Sequence, residues 1–236
     1  MLCYRSNFSG GMSMGSLISL KAEDGHEFDC YKADPSGTPK GGIVVIQEIF
    51  GVNKHIREVA DGYAADGYAV LAPALFDRAE KNFEVGYTPD DIAKGRDTRA
   101  KVDWNDAVKD VASTVAALKA ANVGKIGSVG YCWGGSMSWL TATRVGIDAS
   151  VCYYGGQIAM FNDEAPKNPV MMHFGENDHG IPMADVDKIR AAHSDSDIFV
   201  YPAGHGFNCD HRGDFNDECA KLARSRTLEF FGKHVG

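Results

Sequence analysis

Short apolar runs recur along the chain, separated by stretches in which apolar residues return every three or four positions. SLISLKAEDGHEFDCYKA (16–33) holds two alternating segments around Asp24-Gly25 and predicts a β-hairpin. GGIVVIQ (41–47) is apolar, rich in β-branched residues and too short for a helix, so it predicts a strand buried on both faces. Ile56, Val59 and Tyr63 follow at helical spacing, with Gly67 as a stop. YAVLAPALF (68–76) predicts another buried strand. Val108, Val111, Val115 and Leu118 mark one face of a longer helix, and KIGSVGY (125–131) predicts the next strand. SMSWLTATRVG then predicts a helix starting near Ser136, followed by strands in ASVCYYG and PVMMHFG. ADVDKIRAAH predicts a helix, DIFVYPAG a strand and CAKLARSRTLEFFGKHV an amphipathic closing helix.

Strands alternating with helices mean βαβ units: an α/β protein with a doubly wound, mostly parallel sheet and an N-terminal hairpin. No repeat or linker interrupts the pattern. The expected organisation is a Gly/Ser/Met-rich leader (1–16) and one domain (17–236). Residues 77–104 are polar and irregular, long for a connection, and read as a lid or substrate-facing loop.

Composition narrows the partners. The 236 residues are 44% hydrophobic and 24% charged, which fits a globular chain and excludes a disordered or fibrous one. The net charge is −8 and no Lys/Arg-rich run occurs, which argues against nucleic acid and anionic membranes. No apolar run is long enough to span a bilayer and the N-terminus lacks a signal-peptide core, so the expected compartment is the cytoplasm. The six cysteines form no CxxC pair, and most read as small apolar fillers.

Cys132 is different. It stands in Gly130-Tyr131-Cys132-Trp133-Gly134, between a predicted strand and a predicted helix. That is the setting of the Gly-x-nucleophile-x-Gly elbow, where the turn crowds both flanking positions. A helix N-terminus behind a thiol favours the thiolate and offers N–H groups to an oxyanion. In doubly wound hydrolases an acid and then a histidine follow the nucleophile. Asp178, in GENDHGIP, and His205, in PAGHGF, each follow a predicted strand in that order. Acyl transfer also needs two aimed N–H donors. Trp133 N–H supplies one, and Ile49 N–H, in QEIFG after an earlier strand, is the candidate for the other. Glu48 would then lie near the thiol, although an isolated glutamate is ordinarily a solvated loop acid.

QEIFG, GYCWGG, GENDHGIP and PAGHGF together resemble the dienelactone hydrolase (carboxymethylenebutenolidase) family of α/β-hydrolases, over nearly the whole chain. The resemblance implies an α/β-hydrolase fold and a cysteine-dependent hydrolase of a small ester or lactone, acting through an acyl-enzyme without metal or cofactor. It implies Cys132 as nucleophile, His205 as base, Asp178 as orienter and Glu48 as the residue that holds and then helps ionise the thiol. Arg78, in LFDRAE, matches an arginine that binds the substrate carboxylate, which implies an anionic substrate. The chain departs from the pattern after the histidine motif, where GHGFNCD puts Cys209 in place of a second arginine, with Arg212 out of register. Other readings are a thioesterase or peptidase of the same fold, a metal site at His205, Cys209 and His211, and a redox thiol pairing Cys132 with Cys152 or Cys209. The last two lack standard spacing. A monomer or small homo-oligomer is expected.

Overall fold

The computed structural model describes residues 15–236; residues 1–14 of the expected leader lie outside them. The strands are Ser16–Lys21 (β1), Glu27–Ala33 (β2), Gly42–Ile46 (β3), Ala69–Pro73 (β4), Ile126–Tyr131 (β5), Ala149–Tyr153 (β6), Val170–Gly175 (β7) and Asp197–Tyr201 (β8). The helices are Lys54–Ala65 (α1), Pro89–Ala100 (α2), Trp104–Ala120 (α3), Trp133–Arg144 (α4), Met183–Ala192 (α5) and Asp217–His234 (α6). The strands form one sheet in the order β1-β2-β4-β3-β5-β6-β7-β8. β1 and β2 form the expected hairpin, β2 runs antiparallel to β4, and all later pairings are parallel.

Every residue of β3 through β7 is buried, as continuous apolar runs require when helices cover both faces of a sheet. Adjacent residues of β5 show the two coverings. A side chain added at Gly127 would meet Phe231 of α6, while Ser128 bonds Ser138 of α4 at 2.8 Å on the other face. Helix α1 starts under the Asn53 side chain, which accepts from Ile56 N–H. It ends at Gly67, whose φ of 101° lets Gly67 and Tyr68 N–H reach Ala64 and Tyr63 C=O, a Schellman stop.

Two expectations change. Residues 77–104 are not irregular throughout: helix α2 lies within them. Its faces are polar and it buries only Gly95 and Thr98, so no apolar period announces it. It is encoded at its start, where Thr88 and Asp91 cap each other's N–H and Pro89 opens the first turn. Helix α4 starts at Trp133 and not near Ser136, so the helix follows Cys132 directly.

The order of the sheet locates the crevice. From β3 the chain moves outward to β4 and then returns to place β5 on the opposite side of β3. Open α/β sheets bind ligands at the carboxyl ends of strands beside such a switch. Here those ends carry Glu48-Ile49 after β3 and Cys132 after β5.

Candidate active site

Cys132 has φ 55° and ψ −118°, left-handed backbone that an L residue avoids unless its surroundings enforce it. They do. Its N–H donates to Tyr153 C=O at 3.0 Å, and its own C=O accepts from Gly135 N–H at 2.9 Å. A methyl group on Gly130 would overlap the Gly134 carbonyl, and one on Gly134 the carbonyls of Ile46 and Gln47. Only glycine at both positions lets the elbow form.

The loops after β7 and β8 bring the next two groups. Glu176 N–H donates to Tyr201 C=O and Asn177 N–H to Ala203 C=O, which lashes the two loops together. Asp178 is buried; one oxygen accepts Gly180 N–H at 2.8 Å and the other meets His205 Nδ1 at 2.7 Å. His205 Nε2 lies 3.1 Å from Cys132 Sγ. With Nδ1–H donated to Asp178, Nε2 faces the sulfur. Burial opposes a charge on this ring, but Cys132 and Asp178 outweigh it and raise the pKa to about 10.

Glu48 is fully buried and is not the solvated acid that an isolated glutamate suggests. Its loop is pinned by Gln47, whose side chain accepts Leu75 N–H at 3.1 Å and donates to Glu48 C=O at 3.3 Å. Its Oε1 faces Arg212 Nη1 at 3.4 Å. Arg212 was out of register by sequence. Consecutive turns, Cys209 N–H to Gly206 C=O and Arg212 N–H to Cys209 C=O, fold it back toward the site. Burial opposes the Arg212 charge, and Glu48 and Cys132 sustain it.

A cavity of about 690 Å³ opens above these residues. Its walls include Ile49, Trp133 and Gln157, the triad-like residues, and the inner side of α2 with Ile92, Arg96 and Arg99. The substrate-facing role read for residues 77–104 therefore falls to this helix. Arg78 does not line the cavity. It ends a 3-10 turn (Leu75–Arg78) and points back to α3, where Nε and Nη2 meet the Asp110 carboxylate at 2.8 and 2.7 Å. Nη1 lies 2.9 Å from Asp24. With each of its three nitrogens held against a carboxylate, the Arg78 guanidinium is directed away from the cavity. The expected assignment is corrected accordingly. The arginines on the cavity are Arg96, Arg99 and Arg212. Among the described residues Arg96 and Arg99 have no carboxylate partner, and Arg99 stacks over Trp104, 4.5 Å from its ring centre.

An elbow turn between β5 and α4, followed along the chain by an acid and a histidine at successive strand ends, defines an α/β-hydrolase. Residues 28–235 match the model of the dienelactone hydrolase family, and the chain belongs to that family. A provisionally named carboxymethylenebutenolidase of Synechocystis is 34% identical over 80% of this chain and 84% of its own. Another from Methylorubrum extorquens is 32% identical over 92% of this chain and 80% of its own. The crystal structure of a provisionally named dienelactone hydrolase from Klebsiella pneumoniae matches with a TM-score of 0.78 at 28% identity, covering 92% of this chain and 99% of that one. A dienelactone hydrolase-like promiscuous phosphotriesterase from metagenomic libraries shares the fold, with a TM-score of 0.72 at 20% identity over 95% of this chain and 100% of its own. The protein is a carboxylic ester hydrolase. Among the described residues no helix is long and apolar enough to cross a membrane.

Proposed function

We propose that the protein hydrolyses a small ester or lactone bearing an anionic group, through a thioester formed on Cys132. The observation that carries this reading is the Asp178–His205–Cys132 array, with contacts of 2.7 and 3.1 Å. His205 holds the thiol proton, and the sulfur attacks the substrate carbonyl carbon. The carbonyl oxygen becomes an oxyanion facing Trp133 N–H, at the start of α4, and Ile49 N–H. As the tetrahedral adduct collapses, the C–O bond breaks and His205 returns its proton to the leaving oxygen. In a lactone that oxygen stays in the same molecule. Water, deprotonated by His205, then attacks the thioester and frees the thiol. Asp178 holds the imidazole in the required tautomer and stabilises its cation.

Glu48 completes the scheme. Arg212 lines the cavity and pairs with Glu48, so a substrate anion that reaches the guanidinium competes with this carboxylate. A Glu48 released in this way becomes available to help ionise the thiol. Arg96 and Arg99 supply further positive charge, in place of Arg78. The test is to quench a slow aryl ester reaction with acid and map the acylated peptide by mass spectrometry. An acyl group on the Cys132 peptide is the expected result. Acylation elsewhere, or turnover with no acyl-enzyme and full resistance to iodoacetamide, would remove the thioester reading.

A further inference from the structure

Behind the cavity wall, three donors from three segments converge. A Glu48 carboxylate oxygen, a ring nitrogen of His55 and Cys209 Sγ lie within 4.8 Å of one another. Glu48 follows β3, His55 sits in the first turn of α1, and Cys209 follows the His205 loop. All three are buried: Glu48 and Cys209 are 0% exposed and His55 is 4% exposed. Glu48 Oε2 and His55 Nε2 have no hydrogen-bond partner. Buried polar atoms are rarely left unpaired, because the lost hydration is not recovered.

The surroundings favour a cation as the missing partner. His55 Nδ1 lies 3.3 Å from Asp210 Oδ1. Donation of Nδ1–H to that carboxylate leaves the lone pair on Nε2, the arrangement in which a second carboxylate holds a metal-bound histidine. Arg212 engages Glu48 Oε1, so Oε2 is the oxygen left over. Thiolate, imidazole and carboxylate are the ligand types of zinc. The Cys209 thiolate, Glu48 and the Asp210 carboxylate behind His55 together balance a dication and the Arg212 guanidinium, which limits the cost of holding charge in a buried centre. On the outer side of His55, His211 Nε2 meets Glu58 Oε2 at 2.7 Å, and the two histidine rings stand 5.5 Å apart. These more exposed donors offer a way in from solvent.

We infer that Glu48, His55 and Cys209 bind a thiophilic divalent cation of the Zn²⁺ class. On binding, Cys209 releases its thiol proton to solvent and a sulfur–metal bond forms. Nε2 and Oε2 supply two more bonds, and water completes the shell. The set is distinct from His205, Cys209 and His211, since His205 faces Cys132. If Glu48 acts as proposed above, an ion here holds that carboxylate and slows turnover reversibly.

The probe is Co²⁺, added to the full chain carrying Cys132→Ser so that the elbow thiol takes no part. One equivalent is expected to bind, with visible d–d bands and near-ultraviolet thiolate charge transfer, and Zn²⁺ is expected to displace it. A second change, Cys209→Ser, is expected to abolish the charge-transfer band. Asp210→Ala is expected to weaken binding on the order of ten- to a hundredfold. Circular dichroism and urea midpoints establish that each variant is folded, and His55→Gln gives an independent ligand deletion. A charge-transfer band unchanged by Cys209→Ser, or no cobalt uptake by the Cys132→Ser protein, overturns the site. In the second case a shared proton fills the gap. Cobalt binding is read without turnover, so an error in the role given to Glu48 alters inhibition and leaves the spectrum in place.

Discussion

Arg78 and Asp110 meet in a two-pronged ion pair, with nitrogen–oxygen distances of 2.8 and 2.7 Å and the carboxylate completely enclosed. Burial pushes the Asp110 carboxyl upward and Arg78 opposes that shift, so the pair depends on the guanidinium remaining in place. Arg78→Ala is expected to destabilise the fold by about 3–5 kcal/mol, the usual result of leaving a buried charge alone. KM for an anionic ester should stay within about twofold in the folded fraction, because no substrate contact is lost. Urea unfolding together with steady-state kinetics checks both; normal stability with a raised KM would return Arg78 to the substrate site.

Cys132 leads to a second expectation. At φ 55° a side chain carries a strain of about 1–3 kcal/mol that glycine does not. Cys132→Ala and Cys132→Gly should both be inactive, with the glycine variant the more stable by about 1 kcal/mol. Comparing the urea midpoints of the two inactive proteins isolates the elbow's strain. An alanine variant as stable as the glycine variant would limit the strain to the roughly 0.4–1 kcal/mol by which glycine favours the unfolded chain, and a more stable alanine variant would mean that the turn is relaxed.

The Asp178 carboxylate bonds both Gly180 N–H and His205 Nδ1. Asp178→Asn keeps the size and the loop contact but favours the wrong imidazole tautomer. kcat for a neutral aryl ester is expected to fall on the order of thousands-fold, with KM little changed, as for the corresponding residue of serine hydrolases. Unchanged kcat would take Asp178 out of the chemistry.

Charge recognition should follow α2. Removing a guanidinium that meets a substrate anion forfeits a charge-assisted hydrogen bond, about 1.5–3 kcal/mol. Arg99→Ala is therefore expected to lower kcat/KM for an anionic ester about tenfold or more, and to leave a neutral aryl acetate nearly unaffected. Parallel kinetics on the two substrates, repeated for Arg96→Ala, make the comparison. Equal losses on both substrates would give these arginines a structural role only.

His173 sets an acid limit. It is fully buried in β7, with Nδ1 2.8 Å from the Tyr201 hydroxyl and Nε2 3.1 Å from that of Thr227. Burial, then Arg226, push its pKa down to about 3. In the unfolded chain it titrates near 6.5, so between these values the unfolded state binds more protons and stability falls as pH falls. From pH 7 to pH 5 this one group is expected to remove about 2 kcal/mol. Urea midpoints at the two pH values should show a shallower pH dependence in His173→Gln than in the parent. Equal dependence would rule out His173 as the cause.

Where burial and periodicity coincide, the chain could be read directly. β3 to β7 are apolar runs because helices cover both their faces, and the elbow could be found because crowding excludes any residue but glycine at 130 and 134. Helix α2 escaped because it packs through Gly95 and Thr98, leaving no apolar stripe; only the Thr88–Asp91 cap marked it. Arg78 was misassigned because proximity to a strand end does not fix direction, and two acids distant in sequence, Asp24 and Asp110, turn it away. Glu48, Cys209 and Arg212 are joined by turns whose path depends on three-dimensional closure. Their spacing alone could not show that the arginine returns to the glutamate while the cysteine is buried.

Helix α2 also bears on how such an enzyme can diversify. The groups assigned to bond making hang from the ends of β3, β5, β7 and β8, whereas two of the three cavity arginines belong to one twelve-residue helix. That helix touches the machinery through a narrow footing, where Gly95 lies against the Ile49 carbonyl. Evolution can therefore rewrite the outer face of the pocket within a single short segment, exchanging one substrate for another, and inherit the reaction intact.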